Sequence, residues 1–425
     1  GKINAISGTI SESTGAVSLR AVFNNRNHLL RNGGSGTIII PTTLKDAIII
    51  FGGGCTGEVV SPNGLVLTNH HCGFKFIQQL STVEHDYLHN GFWSNSYEEE
   101  LPCEGIAFTF VKEIKDVTDE INARVADGRL TEEAAFQRNA LAEIAKELFE
   151  ADNIEGKEHM YPQLLPYFEG NKFYLVYYKK YTDVRLVGTP PNSIGKFGGE
   201  TDNWMWPRHT GDFSIFRIYA DKDNNPAEYS KDNVPYKAEK YLKVSLKGYK
   251  EGDFAMVMGF PGSTQRYMTS YEIDDMLSVS NPNRIYIRGE RQEILKKDMA
   301  ASDKVRIQYA SKYARSSNYW KNSIGMSRGL KRLDVKSKKE SQEAEFTAWA
   351  SQFTLADDPR YAEALPLIKG AVEGKSAIDH DLQYLQEAFL TAVEIITPAR
   401  MVAQAMRSPK KSTEKLAEVL KGWYK

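Results

Sequence analysis

The chain has 425 residues, 41% of them hydrophobic and 26% charged, with a formal net charge of −1. That length suits two or three domains of ordinary globular composition. A charge near zero supplies no basic surface, so no nucleic-acid partner is expected, and no apolar run approaches the roughly 20 residues needed to span a bilayer.

The start Gly1-Lys2-Ile3 reads as processed or trimmed, and a removed signal peptide would leave no trace. Residues 1–45 are rich in Gly, Ser, Asn and Thr and read as weak strands or loops, with short apolar pieces such as Ile38-Ile39-Ile40. From Leu44 the pattern sharpens. Ala47–Phe51 is an apolar run closed by Gly52-Gly53-Gly54, and Glu58–Ser61, Pro62-Asn63-Gly64 and Leu65–Thr68 read as strand, turn, strand. Residues 130–150 predict one helix with Thr131 as N-cap and a stripe of Phe136, Leu141, Ile144, Ala145 and Leu148. Strands are expected at Phe173–Tyr178, Val184–Val187, Phe213–Ile218, Leu242–Leu246 and Phe254–Gly259. Beyond about residue 270 the periodicity becomes helical, over 283–313, 332–352 and 379–396. The last carries a face of Leu382, Leu385, Phe389, Val393 and Ile396, which Pro398 stops or kinks. The expected organisation is an N-terminal segment 1–43, a β-rich region 44–268 with a helical insertion near 115–155, and a helical domain 270–425.

Two segments carry the chemistry. In the first, Gly53-Gly54-Cys55-Thr56-Gly57 leads into the hairpin, and the return strand runs Leu67-Thr68-Asn69-His70-His71-Cys72-Gly73. Cys55 and Cys72 lie on the two arms, so a disulfide could close that loop and pin the backbone beside His71. The cysteine count alone fits one bridge plus the odd thiol Cys103, or three unrelated buried thiols. A zinc site built from His70, His71 and Cys72 is a rival, disfavoured because neighbours on a strand point to opposite faces. In the second segment, Asp202-Asn203-Trp204-Met205-Trp206-Pro207-Arg208-His209-Thr210-Gly211-Asp212-Phe213, two Trp, an Asn and an Arg occupy a glycine-bounded loop, and Asp212 opens a strand. An Asp so placed could fix the tautomer of a catalytic His, although a plain turn residue looks the same and spacing does not separate Asp212 from Asp202.

The histidine segment resembles that of chymotrypsin-like serine peptidases, where the catalytic His precedes a disulfide-bonded Cys. The two segments together resemble the bacterial S46 dipeptidyl peptidases, of the dipeptidyl peptidase 7 and 11 type and closer to the former. Gly259-Phe260-Pro261-Gly262-Ser263-Thr264 and Ser317-Asn318-Tyr319-Trp320 extend the likeness. The resemblance implies a β + α fold: a chymotrypsin-like double β-barrel, incomplete in this chain, with a large helical cap. It implies release of dipeptides from a free N-terminus, with His71 as general base and Asp212 as its orienting acid. Asn203, Trp204 and Asn318 would hold the substrate ammonium, which needs amide oxygens and a ring face in place of water; the plain alternatives are a loop packed on the barrel and a helix-surface amide. It also implies a Cys55–Cys72 disulfide, a hydrophobic P1 side chain, oligopeptide substrates, no cofactor or metal, a homodimer, and a periplasmic or secreted location.

The triad serine of that family sits in a Gly-Asn-Ser-Gly-Ser segment, which this sequence lacks. Ser193, Ser263 and Ser323 are candidates by order or motif, but none has a glycine on both sides, as an oxyanion-hole turn favours. The nucleophile is therefore expected outside these residues. The family's Met-Trp pair near the mature start is also missing from residues 1–43. A non-catalytic peptide-binding protein on a degenerate peptidase fold is the competing expectation.

Overall fold

The computed structural model describes residues 2–10, 17–22, 42–168, 170–253, 255–352 and 360–407. The strands are β1 (Lys2–Ile10), β2 (Val17–Val22), β3 (Ile48–Phe51), β4 (Cys55–Val59), β5 (Leu65–Thr68), β6 (Phe92–Trp93), β7 (Leu101–Pro102), β8 (Phe108–Asp116), β9 (Met160–Tyr167), β10 (Lys172–Tyr181), β11 (Val184–Thr189), β12 (Ser214–Ala220) and β13 (Val234–Pro235). The helices are α1 (Thr42–Lys45), α2 (His70–Leu80), α3 (Tyr87–Asn90), α4 (Thr118–Ala126), α5 (Arg138–Ala151), α6 (Asn192–Gly195), α7 (Ser270–Asp275), α8 (Asn281–Ala301), α9 (Asp303–Arg332), α10 (Val335–Ala350), α11 (Arg360–Tyr384) and α12 (Ile396–Arg407). The chain forms two compact units. One comprises Gly1–Phe76, Phe92–Pro190 and Asp212–Gly262; the other comprises Ile77–Gly91, Pro191–Gly211 and Ser263–Lys425.

The first unit is built on a large antiparallel sheet, ordered β6-β11-β12-β5-β4-β3-β8-β10-β9 along its main path. Strands β1 and β2 pair separately. Alternation decides the core: Ile49, Phe51, Val59, Val66, Phe108 and Phe216 are buried while neighbours along the same strands are less so. Phe51, Phe108 and Phe216 meet at centroid distances of 4.8 to 6.1 Å, a spacing that favours tilted and edge-on rings. Asn63-Gly64 does make the β4–β5 turn, with Gly64 at φ +67° and Glu58 paired with Leu67.

Several expected elements come out differently. The helix expected over 130–150 splits into a short turn at Ala134–Phe136 and α5, because Gln137 is extended. Thr131 caps the short turn by accepting from the Ala134 N–H at 3.1 Å. Phe136 leaves the apolar stripe and lies tilted on Phe173 at 6.4 Å, 56% exposed. Leu141, Ile144 and Ala145 are buried as the stripe predicts. Neither Leu242–Leu246 nor 255–259 forms a strand; Phe254 and Ile38–Ile40 lie outside the described residues. Leu246 and Val257 are almost fully exposed, so the alternation there is not matched by burial on one face.

The second unit is helical. Ser302 is extended and separates α8 from α9, accepting from the Val305 N–H. Thr269 begins α7 with a reciprocal capping box to Glu272. Pro398 does not end a helix: it lies in the first turn of α12, where its missing N–H breaks no helical hydrogen bond. Among the described residues no helix is long and apolar enough to cross a membrane.

Candidate active site

In the first unit, β12 pairs antiparallel with β5, Ser214 opposite Thr68. Extending that register by two residues puts Asp212 level with His70. There the chain has already turned: His70 and His71 do not sit on the strand, as expected from sequence, but in the first turn of α2, where the Cys72 and Gly73 N–H groups donate to the Asn69 carbonyl. Helix starts leave their first N–H groups without intrahelical partners. Asp212 supplies one from outside: its Oδ1 accepts the His71 backbone N–H at 2.9 Å, and a carboxylate is favourable at a helix N-terminus.

The other oxygen of Asp212 lies 2.6 Å from His71 Nδ1. An ionised carboxylate only accepts, so the shared proton belongs to Nδ1, and in the neutral ring Nε2 is left with a lone pair. Burial pushes the Asp212 carboxyl up, but the hydrogen bonds and positive charge of His71 outweigh it and hold it below the usual carboxylate value. The His71 side chain is 67% exposed while that of Asp212 is 28% exposed, so the ring lies open and the carboxylate is sheltered. Asn69 completes the clamp. Its Nδ2 donates to the Asp212 carbonyl at 3.1 Å, and its own carbonyl accepts from Ser214 Oγ at 3.0 Å. Gly73 lets α2 approach β12: a Cβ there would sit 2.8 Å from Ser214 Oγ and 3.0 Å from the Phe216 ring.

Cys55 and Cys72 form a disulfide, Cα to Cα 6.1 Å. It ties β4 to the first turn of α2, one residue from His71. Cys55, His71 and Cys72 are close enough together to suggest a metal site, but the two sulfurs are bonded to each other and offer no thiolate. His70 is fully buried, its ring edge-on to Phe74 at 5.6 Å.

In the second unit, the Trp-rich loop and α9 bring Asn203, Trp204 and Asn318 together. Asn203 Nδ2 donates to Asn318 Oδ1 at 2.9 Å. Trp204 Nε1 donates to the same oxygen at 3.0 Å and to the Asn318 carbonyl at 3.1 Å. Trp204 has φ +59°, a region that a bulky side chain adopts only when its surroundings hold it there. Lys321 helps, donating to the carbonyls of Glu200 and Thr201. Gly198, at φ +78°, is also required, since a Cβ there would lie 2.0 Å from Asp202 Oδ2. Asp202 thus belongs to this loop's own packing, whereas Asp212 is the carboxylate on His71. Ser323 is fully buried in α9 and accepts from Arg284 at 3.2 Å, so its hydroxyl is closed to substrate.

Sequence reasoning missed Asn69, Gly73, Ser214 and Arg208. Asn69 was readable in part, since a helix starting at the His pair would need a residue before it to receive the first N–H groups. Arg208, which donates to Asn203 Oδ1 at 3.1 Å, carried a signal in its place within the Trp-rich loop.

Both constellations lie within residues 40–421, which the Peptidase S46 family model matches, and the chain is a member of that family. Among its relatives, Dipeptidyl-peptidase 7 of Phocaeicola vulgatus is 55% identical over 356 residues, 84% of this chain and 49% of the relative. The Asp/Glu-specific dipeptidyl-peptidase of Porphyromonas gingivalis is 44% identical over 83% of this chain and 49% of its own length. The crystal structure of Porphyromonas endodontalis DPP11 in complex with the dipeptide Arg-Glu superposes with a TM-score of 0.79 at 38% identity, covering 91% of this chain and 56% of that one. The chain thus spans about half the length of the curated relatives it matches. Its architecture, a large antiparallel sheet with many helices, is that of this family. A hydrophobic P1 preference is not supported: the relatives whose names state a preference are specific for Asp and Glu. Residues 1–41 match a different model, the β-barrel domain of RND MFPs, which agrees with the poor fit of that segment to the S46 pattern.

Proposed function

We propose that this chain carries the base and acid of a serine exopeptidase that releases dipeptides from the free N-terminus of oligopeptides. The observation that carries the reading is the 2.6 Å contact between His71 Nδ1 and Asp212 Oδ2, in a member of the S46 family. With its proton held at Nδ1, His71 takes the serine hydroxyl proton at Nε2 as that oxygen attacks the peptide carbonyl, and returns it to the leaving amine. Asp212 stabilises the imidazolium formed between the two transfers. The reaction requires a serine hydroxyl within reach of His71 Nε2. Asn203, Trp204 and Asn318 receive the substrate ammonium through amide oxygen and ring face. The finer expectations follow as part of the same reading: a chymotrypsin-like double β-barrel with a helical cap, a homodimer, and a periplasmic or secreted location, with which the Cys55–Cys72 disulfide is compatible.

The test is hydrolysis of dipeptidyl coumarylamides by the intact protein, with acidic and hydrophobic P1 residues compared and N-acetylated substrates as controls. Release of the intact dipeptide from free-amine substrates only, together with phosphonate labelling of one serine, is the expected result. Peptide binding without cleavage or labelling would instead identify a binding protein on a peptidase fold.

A further inference from the structure

We propose that Arg208 is a positioning residue that locks the Asn203 amide with its oxygen toward an amine ligand; this rests on the amine-site reading of Asn203, Trp204 and Asn318. Donors and acceptors must match along this row of side chains. An indole N–H and a guanidinium can only donate, whereas each asparagine amide has one end that donates and one that accepts. Trp204 Nε1 meets Asn318 Oδ1 at 3.0 Å, which fixes that end of Asn318 as oxygen. Asn203 must then present Nδ2 to it, as it does at 2.9 Å. At the far side of the Asn203 amide stands Arg208, whose Nη1 donates to Oδ1 at 3.1 Å. The two donor-only groups at the ends leave one arrangement of the amides between them.

The same count shows where an ammonium could go. Asn318 Oδ1 already takes two donors, from Asn203 and Trp204. Asn203 Oδ1 takes one, from Arg208, so a second lone pair remains to it. Turning the Asn203 amide over would replace that acceptor with an N–H, which repels an ammonium. It would also set two N–H donors face to face at Arg208. The guanidinium is itself braced: its Nε donates to Thr210 Oγ1 at 3.2 Å, and that hydroxyl donates to the Phe197 carbonyl at 2.9 Å.

Arg208 is also a like charge to the ligand, so variants must separate its donor from its charge. Arg208→Met removes both, Arg208→Gln keeps a neutral donor and Arg208→Lys keeps a charged one. The experiment titrates each full-length variant calorimetrically with Ala-Glu and with Ala-Phe, each against its N-acetyl form. Wild type is expected to prefer the free amine. Arg208→Met should lose about tenfold of that preference, the equivalent of one hydrogen bond involving a charged group, with Gln and Lys retaining most of it and unchanged melting temperatures. Tighter amine binding by Arg208→Met and Arg208→Gln alike would mean that repulsion dominates and would overturn the proposal. An undiminished preference in Arg208→Met would overturn the role of Arg208 alone. Equal wild-type affinity for the free and acetylated forms of whichever dipeptide binds would overturn the amine site with it.

Discussion

Asp212 takes two hydrogen bonds from one residue, the ring and the backbone N–H of His71, one on each carboxylate oxygen. It therefore sets the ring orientation and the helix start together. Asp212→Asn removes the charge and gives the amide a choice of which end faces Nδ1, as the carboxylate does not. We expect kcat of the intact enzyme to fall by roughly 10⁴, the loss seen when a Ser-His-Asp triad loses its carboxylate with geometry kept. A loss below tenfold with His71 still in place would count against Asp212 as the acid.

The lowered Asp212 value fixes the sign of a pH effect. A carboxyl whose folded value is depressed contributes stability above its unfolded value and loses it as pH falls through the folded one. The His71–Asp212 contact should therefore persist as pH drops through the ordinary Asp range near 4 and fail only below it. Following the Asp212 carboxyl carbon by NMR reads this directly; titration at or above the ordinary value would contradict it.

Gly73→Ala offers a test of how α2 is seated. Alanine ordinarily favours a helix over glycine by about 1 kcal/mol, and Gly325→Ala in α9, where nothing lies within 4 Å, should be neutral or stabilising. At Gly73 the new Cβ meets Ser214 Oγ and the fully buried Phe216 ring, neither of which can retreat freely. Overpacking of that kind costs about 1–3 kcal/mol. Urea unfolding should show Gly73→Ala destabilised and Gly325→Ala unchanged or stabilised, and a Gly73→Ala variant no less stable than wild type would refute the tight α2–β12 contact.

How much of this was readable from the sequence differs by feature. Local signals were strong where one residue type dictates backbone shape: Asn63-Gly64 forced the hairpin, and the β-branched run Ile48-Ile49-Ile50 forced a central strand. The choice of Asp212 over Asp202 was not local. It depends on the β5–β12 register, which brings together residues more than a hundred positions apart. Among the described residues neither 242–246 nor 255–259 forms a strand: alternation reports a tendency, and although the Leu242 N–H donates to the Val59 carbonyl of β4 at 2.8 Å, no ladder follows from that bond. Leu-Val-Leu-Thr runs straight into His71 and by pattern alone carries the strand onto it. The helix start that interrupts the run depends on an external carboxylate cap that no nearby residue announces.

Cys103 should be chemically silent in the native state. It is buried, and burial pushes its thiol up to about 12, far from the thiolate that alkylating reagents attack. In native protein at pH 8, peptide mapping should find Cys103 unmodified by a disulfide-exchange reagent, and modified after denaturation without reductant. Rapid labelling of the folded protein would show that this part of the sheet opens readily.

The Cys55–Cys72 bridge closes a loop of 17 positions, for which chain entropy predicts a stabilisation of about 3 kcal/mol. Cys55→Ala/Cys72→Ala should lose most of it in urea unfolding. Stability is only part of the expectation, because the bridge also holds β4 against the turn that carries His71. With the bridge gone, the first turn of α2 keeps its Asp212 contacts but loses a fixed anchor one residue away. A folded double variant should therefore show a lower kcat than the stability loss alone explains, with weaker protection of the His71 amide against hydrogen exchange. If the double variant, measured well below its melting temperature, matches wild type in kcat and in exchange at His71, the bridge serves stability alone and the positioning argument fails.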